Sequence, residues 1–228
     1  MPTWFITGTD TGVGKTLFTG LFGRFLAQHN HSITTQKWVQ TGLQDHLLDI
    51  QEHDHVINPS NHSDTTLHKF RMPYAFTLPA SAHLAAKQDH KTINLHKIIQ
   101  CLRYLENQYE IVLIEGLGGI YVPLTENTTT LDLLEQLKTH TIIIIPNQIG
   151  AINHALLTIE AIATRQIPIS GFIINNMNPK TSPLIQKDNP KIIESLSGIS
   201  CIGTIDSNKT LTLSKTFIKN ELNSLNSS

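Results

Sequence analysis

Short apolar runs alternate with amphipathic segments along this chain. The runs at Trp4-Phe5-Ile6, Ile111-Val112-Leu113-Ile114, Ile142-Ile143-Ile144-Ile145 and Phe172-Ile173-Ile174 are continuous rather than alternating. A strand with one face in water alternates apolar and polar side chains, so these runs predict central strands buried on both faces. Between them, Leu17, Phe18, Leu21, Phe22, Phe25 and Leu26 form one stripe at helical spacing. Leu95, Ile98, Ile99, Leu102 and Leu105 form a second, and Ala155, Leu156, Ile159, Ile162 and Ala163 a third. Strands and helices that alternate in this way build a mostly parallel, doubly wound α/β sheet with helices on both faces.

The remaining stretches change this picture little. Residues 44–62 are polar and rich in His and Asp, which predicts a loop and a short helix above the sheet. No internal repeat or linker divides the chain, so residues 1–228 are read as one domain. In the segment 206–228, Leu211, Leu213, Phe217, Ile218 and Leu222 can pack loosely, and 223–228 read as a frayed tail.

Apolar residues make up 39% of the chain, charged residues 15%, and the net charge is −1, so no broad field draws nucleic acid or an anionic membrane. An anionic ligand must then be held locally, and the expected partners are small molecules. Cys101 and Cys201 are too few for a disulfide framework. The first residues carry neither a basic region nor a cleavable apolar stretch, and a cytoplasmic protein is expected.

Chemistry begins after the first run. Gly-Thr-Asp-Thr-Gly-Val-Gly-Lys-Thr at 8–16 leads directly into the first amphipathic stripe. This is a P-loop in a strand–loop–helix context, which predicts P-loop NTPase-like topology. Its glycines let successive backbone N–H groups face a phosphate, Lys15 reaches the outer phosphates, and the Thr16 hydroxyl can bind magnesium. Five residues separate Gly8 from Gly14, one more than the usual spacing.

A carboxylate ending a second strand would sit on the same sheet edge as this loop, where open α/β sheets bind ligands. Glu115, followed by Gly116-Leu117-Gly118-Gly119, is placed there. Lys37, after the second predicted strand, shares that edge. Asp54 could be a second acid at a metal, although spacing alone does not separate it from Asp45 or Asp49. The pairs His29-x-His31 and His53-x-His55 lack further ligands at readable spacing and are read as solvated surface residues.

Together these motifs resemble the dethiobiotin synthetase family. The resemblance runs through the loop at 8–16, Lys-Trp-Val-Gln-Thr-Gly at 37–42, Asp54, Pro-Ala-Ser-Ala-His at 79–83, and Glu-Gly-Leu-Gly-Gly at 115–119. It continues through Gly-Ala-Ile-Asn-His-Ala at 150–155 and Asn175-Asn176. It implies ATP- and Mg2+-dependent carboxylation and ring closure of 7,8-diaminopelargonic acid. Lys37, Lys15 and Thr11 are then expected to be catalytic, and Thr16, Asp54 and Glu115 to bind Mg2+. The nucleotide is expected on Gly12, Val13, Gly14, Lys15, Thr16, Leu17, Asp54, Glu115, Gly116, Leu117, Gly118, Asn175 and Asn176. Asn175 would read the purine. Thr41 and the helix start at Gly150, Ala151, Ile152 and Asn153 are expected to bind substrate, the last four lent by the other subunit of a homodimer.

The chain departs from the family pattern at Trp38 (usually Pro), Thr41 (usually Ser), Gly12 (usually Glu) and Asp206 (usually Pro). Two rival classes fit less well. Partitioning ATPases carry a signature lysine where Asp10 stands, and glutamine-fed amidoligases need a nucleophilic Cys in a Gly-x-Cys-x-Gly setting, which neither cysteine has; an amidoligase detached from its glutamine-hydrolysing domain stays open as an alternative.

Overall fold

The computed structural model describes residues 2–43, 48–59 and 65–225. The first half of the chain forms β1 (Thr3–Gly8), α1 (Lys15–Gln28), β2 (Ile33–Lys37), β3 (Val39–Thr41), α2 (Asp49–Ile57), α3 (His68–Arg71), β4 (Tyr74–Phe76), α4 (Ala82–Gln88), α5 (Leu95–Glu106) and β5 (Ile111–Glu115). The second half adds β6 (Pro123–Thr125), β7 (Thr128–Thr129), α6 (Thr130–Leu137), β8 (His140–Pro146), α7 (Ala151–Thr164), β9 (Ile169–Asn175), α8 (Pro183–Ser197), β10 (Cys201–Ile205), β11 (Leu211–Leu213) and α9 (Lys215–Leu225). Seven strands make the main sheet in the order β11-β10-β9-β8-β1-β5-β2, parallel except for β11 at one edge.

The continuous apolar runs are strands because each of their faces meets a helix layer. In β8, Ile142 and Ile144 join the layer of α1, while Ile143 and Ile145 join the layer of α5, α6, α7 and α8. Period-two alternation thus persists, but between two dry faces rather than between core and water. The edge strand β2 reads Ile-Thr-Thr-Gln-Lys and is buried from Thr34 onward. Its polar groups are satisfied from the side. Arg71 Nε donates to the Thr35 carbonyl at 3.0 Å and Nη2 to Thr35 Oγ1 at 2.7 Å, and Gln36 donates to the Phe70 carbonyl at 3.0 Å.

The segment from 206 is tied in more firmly than its composition predicts. β11 pairs with β10, and Phe217 is buried with its ring 6.1 Å from Phe22. α9 runs to Leu225, into the stretch expected to fray, and residues 226–228 lie outside the described residues.

The short helix expected within 44–62 is α2, and two glycines of α1 seat it. A Cβ at Gly20 would stand 2.8 Å from Val56 Cβ, and one at Gly23 would stand 2.8 Å from Ile57 Cδ1. Backbone-close packing of α1 and α2 leaves no room for a side chain between them. Gly20→Leu is therefore expected to lower stability by about 1–3 kcal/mol through overpacking. Adding Val56→Ala should return part of that loss. Urea denaturation of the two proteins checks this, and wild-type stability in the single variant would contradict it.

Candidate active site

β1 delivers the phosphate-binding loop to the C-terminal edge of the sheet, where the Thr9 N–H bonds the Ile144 carbonyl of β8 at 3.1 Å. The loop closes on itself through small residues. Gly14 caps α1 at φ 102°, and a Cβ there would lie 2.5 Å from the Asn175 amide nitrogen. Only glycine takes that backbone and that approach without strain. Lys15 is buried, and its ammonium donates to the Asp10 carbonyl at 2.9 Å across the loop. Burial, with Lys37 nearby adding to it, brings Lys15 down to about 8.

The second wall comes from β5 and β2. In the parallel register Lys37 lies opposite Glu115, and Ile6 of β1 lies opposite Glu115 on its other side. Strand pairing alone therefore places the two charges level at the sheet edge. Lys37 Nζ donates to Glu115 Oε1 at 2.7 Å and to the Gly116 carbonyl at 3.0 Å. Thr16 Oγ1, from the P-loop, donates to the same Oε1 at 3.0 Å.

Burial alone would raise Glu115, but Lys37 and then His53 outweigh it and hold the carboxyl well below the usual carboxylate range. Burial would likewise lower Lys37, but Glu115 and Asp49 outweigh it and raise the ammonium above its ordinary value. Trp38, where the family pattern has proline, packs its ring 4.9 Å from Phe5 beneath this pair, and its Nε1 donates to Gln36 at 3.1 Å.

The second acid at Lys37 is Asp49, not Asp54. Asp49 Oδ2 is 2.7 Å from Lys37 Nζ. Asp54 is instead taken by Arg71, Nη1 to Oδ2 at 2.9 Å and Nη2 to Oδ1 at 2.7 Å. Five residues turn a helix by about 140°, so α2 aims Asp49 at the loop and Asp54 at Arg71 beside β2. Asp45 lies outside the described residues. The histidine reading also needs correction at one position, because His53 is fully buried with Nε2 2.7 Å from Glu115 Oε2. The spacing of four between Asp49 and His53 puts both on one face of a short helix, but it does not say that this face meets the loop.

Thr16, Glu115 and Asp49 offer one hydroxyl and two carboxylates, all hard oxygen donors. Mg2+ is commonly held by one or two carboxylates with phosphate and water completing its shell, and these side chains fit that provision. Among the described residues no three His, Cys, Asp or Glu side chains converge as an all-protein metal cage.

The other expected residues divide between the cleft and its supports. Gly12, Gly14, Thr16 and Leu17 line a cavity of about 470 Å³ with Asn175, Met177 and Lys209. Asp206 closes the turn that carries Lys209, its Oδ1 accepting from the Asn208 and Thr210 N–H groups at 2.9 and 2.8 Å. A Cβ on Gly118 would lie 3.2 Å from Thr11 Oγ1, so the P-loop and the glycine-rich exit of β5 meet there. Gly116 lies against Phe5 and Leu117 packs on the core.

Asn175, expected to read the purine, has both ends of its amide engaged by backbone. Nδ2 donates to the Val13 carbonyl at 2.8 Å and Oδ1 accepts from the Met177 N–H at 3.0 Å. Asn176 Oδ1 accepts from Asn147 Nδ2 at 2.8 Å. Thr41 stands in β3, beside Gly42 and Pro79. Gly150 starts α7 at φ 89° with no side-chain cap. Among the described residues no hydrogen bond joins Gly150, Ala151, Ile152 or Asn153 to Lys15, Lys37 or Glu115 of the same chain.

Known proteins carry the same arrangement of sequence. A family model described as an AAA domain matches residues 2–215. The ATP-dependent dethiobiotin synthetase BioD 2 of Pasteurella multocida is 36% identical over 185 residues, covering 81% of this chain and 86% of that one. The ATP-dependent dethiobiotin synthetase BioD of Halalkalibacterium halodurans is 34% identical over 203 residues, covering 89% of this chain and 83% of its own. The chain belongs to the dethiobiotin synthetase family. Among solved structures, the MinD cell division protein of Aquifex aeolicus matches with a TM-score of 0.55 at 14% identity, over 90% of this chain and 82% of that one. A ParA family ATPase from Chlorobium tepidum matches with a TM-score of 0.56 at 14% identity, over 98% and 89%. At that identity the likeness is one of fold.

Two outcomes follow from the geometry of this family member. Asp49→Asn should raise the Mg2+ concentration for half-maximal activity on the order of tenfold. Asp54→Asn should leave that requirement unchanged and lower stability by roughly 1–3 kcal/mol, because Arg71 loses an ionised partner. The reverse pattern would return Asp54 to the metal. The second outcome concerns Lys15. Its folded value lies below the ordinary 10.5, so it sheds its proton as pH rises through about 8, whereas an adjacent phosphate favours the charged form. Nucleotide binding near pH 8 should therefore take up protons, and affinity should fall as pH rises further. Calorimetric titration in buffers of different ionisation enthalpy detects this uptake, and buffer-independent enthalpies would contradict it.

Proposed function

We propose that the chain catalyses ATP- and Mg2+-dependent carboxylation and ring closure of 7,8-diaminopelargonic acid to dethiobiotin, a carbon–nitrogen ligase step of biotin biosynthesis. The observation that carries this reading is Lys37: a buried ammonium bound at hydrogen-bond distance by Glu115 and Asp49, with Glu115 also accepting from Thr16 of the P-loop. Family membership supplies the reaction; this cluster supplies groups suited to it.

One amine of the substrate takes up CO2 and loses a proton, giving a carbamate. A carbamate oxygen attacks the γ-phosphoryl group of ATP, ADP leaves, and a carbamic–phosphoric anhydride forms. The second amine attacks the carbamoyl carbon, phosphate departs, and the ring closes. Each species is anionic around the transferred group, so positioning and positive charge do most of what the protein must do. Lys15 spans the outer phosphates, and Lys37 can exchange a carboxylate partner for the carbamate or phosphoryl oxygens. Thr11, at the junction of the P-loop and Gly118, is read as a further donor to the same anions. When bound, Mg2+ on Thr16, Glu115 and Asp49 would neutralise charge on the β- and γ-phosphates.

The substrate carboxylate lies several bonds from its amines and needs an anion site of its own. The uncapped start of α7 offers backbone N–H groups without a basic side chain. Among the described residues no hydrogen bond joins that start to Lys37 of the same chain, and the reading assigns it to the partner subunit of a homodimer. Ile149 and Leu157 on either side of it are 87% and 57% exposed, and Tyr121 across a neighbouring cavity of about 540 Å³ is 62% exposed, an apolar face suited to burial between subunits.

Labelled bicarbonate should enter diaminopelargonic acid only with ATP, with one ADP formed per ring. Lys37→Ala should lower kcat by about a hundredfold or more. ADP release that does not depend on the diamine would overturn the assignment. The shared site is tested by mixing Lys37→Ala chains with Ala151→Asp chains, each inactive alone. Random exchange should restore about a quarter of wild-type activity, because half the dimers are mixed and each holds one intact site. Inactive mixed dimers would place the whole site within a single chain.

A further inference from the structure

α2 brings two side chains to the Lys37–Glu115 pair, and the proposed reaction uses only one of them. Asp49 reaches Lys37; His53, one turn later on the same face, reaches Glu115. With Lys37 and Thr16 both donating to it, Glu115 stands as an acceptor, and its Oε2 lies 2.7 Å from His53 Nε2, which is assigned as the N–H donor. The two carboxylate oxygens thereby differ. Oε1 receives the Thr16 hydroxyl and the Lys37 ammonium, whereas Oε2 receives His53.

A carboxylate's last torsion is broad and nearly two-fold, so with no donor on Oε2 the group could swing away from Thr16 or exchange its oxygens. Resting on the reading of Glu115 and Thr16 as metal-facing groups, we propose that His53 is a positioning residue that fixes Glu115 with Oε1 toward Thr16 and Lys37. Two observations beyond the hydrogen bond support the assignment. The close packing of Val56 and Ile57 on Gly20 and Gly23 sets the height of α2, so the ring is held at a fixed distance. The ring is also a costly choice for mere packing: His53 is wholly buried, and among the described residues its Nδ1 has no hydrogen-bond partner. A side chain needed only to fill this space would be apolar, as Ile50 is one turn earlier.

The test compares His53→Gln, which keeps an N–H donor, with His53→Met, which has similar length and none. Mn2+ binding to the ADP-loaded protein is followed through the electron paramagnetic resonance of free Mn2+. In His53→Met that affinity should fall about 10–100-fold, the usual effect of removing a hydrogen bond to a metal ligand, while metal-free ADP affinity stays unchanged. His53→Gln should recover most of the Mn2+ affinity. Wild-type Mn2+ affinity in folded His53→Met overturns the proposal, and so does His53→Gln weakening as far as His53→Met. If His53→Met does not fold, a crystal structure of His53→Gln decides: Oε1 still on Thr16 and Lys37 with near-native Mn2+ affinity supports the role, and Glu115 turned away with weakened Mn2+ binding overturns it. None of these readouts uses diaminopelargonic acid, so they hold or fail separately from bicarbonate fixation.

Discussion

The buried pair of Lys37 and Glu115 is the constraint from which the rest of the site follows. Removing an ammonium and a carboxylate from water costs several kcal/mol per ion, and their mutual attraction offsets this only when the remaining hydrogen-bonding capacity is filled. Here it is filled from four directions: Asp49 and His53 on α2, Thr16 on the P-loop, and the Gly116 carbonyl. Each of those groups must then be in place for the pair to be tolerable. The strand register, the entry of α1 and the seating of α2 on its glycines therefore serve one electrostatic requirement. An apolar pair of the same volume could be as stable, so stability alone does not account for retaining two charges at this sheet edge.

Much of the fold was legible because burial on both faces writes a plain signature. Four uninterrupted runs of Ile, Val, Leu, Phe and Trp became β1, β5, β8 and β9, and the three stripes fell on α1, α5 and α7. β2, expected as a strand ahead of Lys37, left no such apolar run. Its Thr34, Thr35 and Gln36 are buried yet polar, made acceptable by Arg71 and by contacts from distant segments. Edge strands satisfied by side chains from elsewhere cannot be told from loops by periodicity. The same holds for β11 and Phe217, whose burial depends on β10 and Phe22 rather than on local pattern.

In the site, residues fixed by strand ends were readable and residues fixed by helix rotation were not. Lys15, Thr16 and Glu115 follow strands directly, and parallel pairing carries them to one edge. Choosing among Asp45, Asp49 and Asp54 required knowing which face of α2 meets the loop. That is decided by glycine packing on α1 and by Arg71 claiming Asp54, neither of which a motif records. His53 was hidden for a similar reason. In a polar, histidine-rich stretch it looks solvated, and only the tertiary seat of α2 makes it the driest residue of its helix besides Ile50.

The exit of β9 shows how one rigid element can set the relation between the phosphate loop and the start of α7. Asn175 clamps the P-loop through the Val13 carbonyl, and the next residue, Asn176, holds Asn147 just before α7. Asn147 is held in turn by Asn189 of α8, whose Nδ2 donates to its side chain at 2.7 Å and to the Gln148 carbonyl at 3.3 Å. Consecutive residues of one strand end thus tie down the phosphate loop on one side and the entry to α7 on the other. A ligand that spans both places, as in the proposed reaction, would gain from such fixed spacing, because orientation set by the fold is not lost again on binding. In the homodimer proposed above the same tether would act in both chains, and the distance from each P-loop to the partner's α7 start would depend on the subunit interface and on few flexible joints besides. The amide of Asn175 is then better understood as part of this tether than as a free reader of the base.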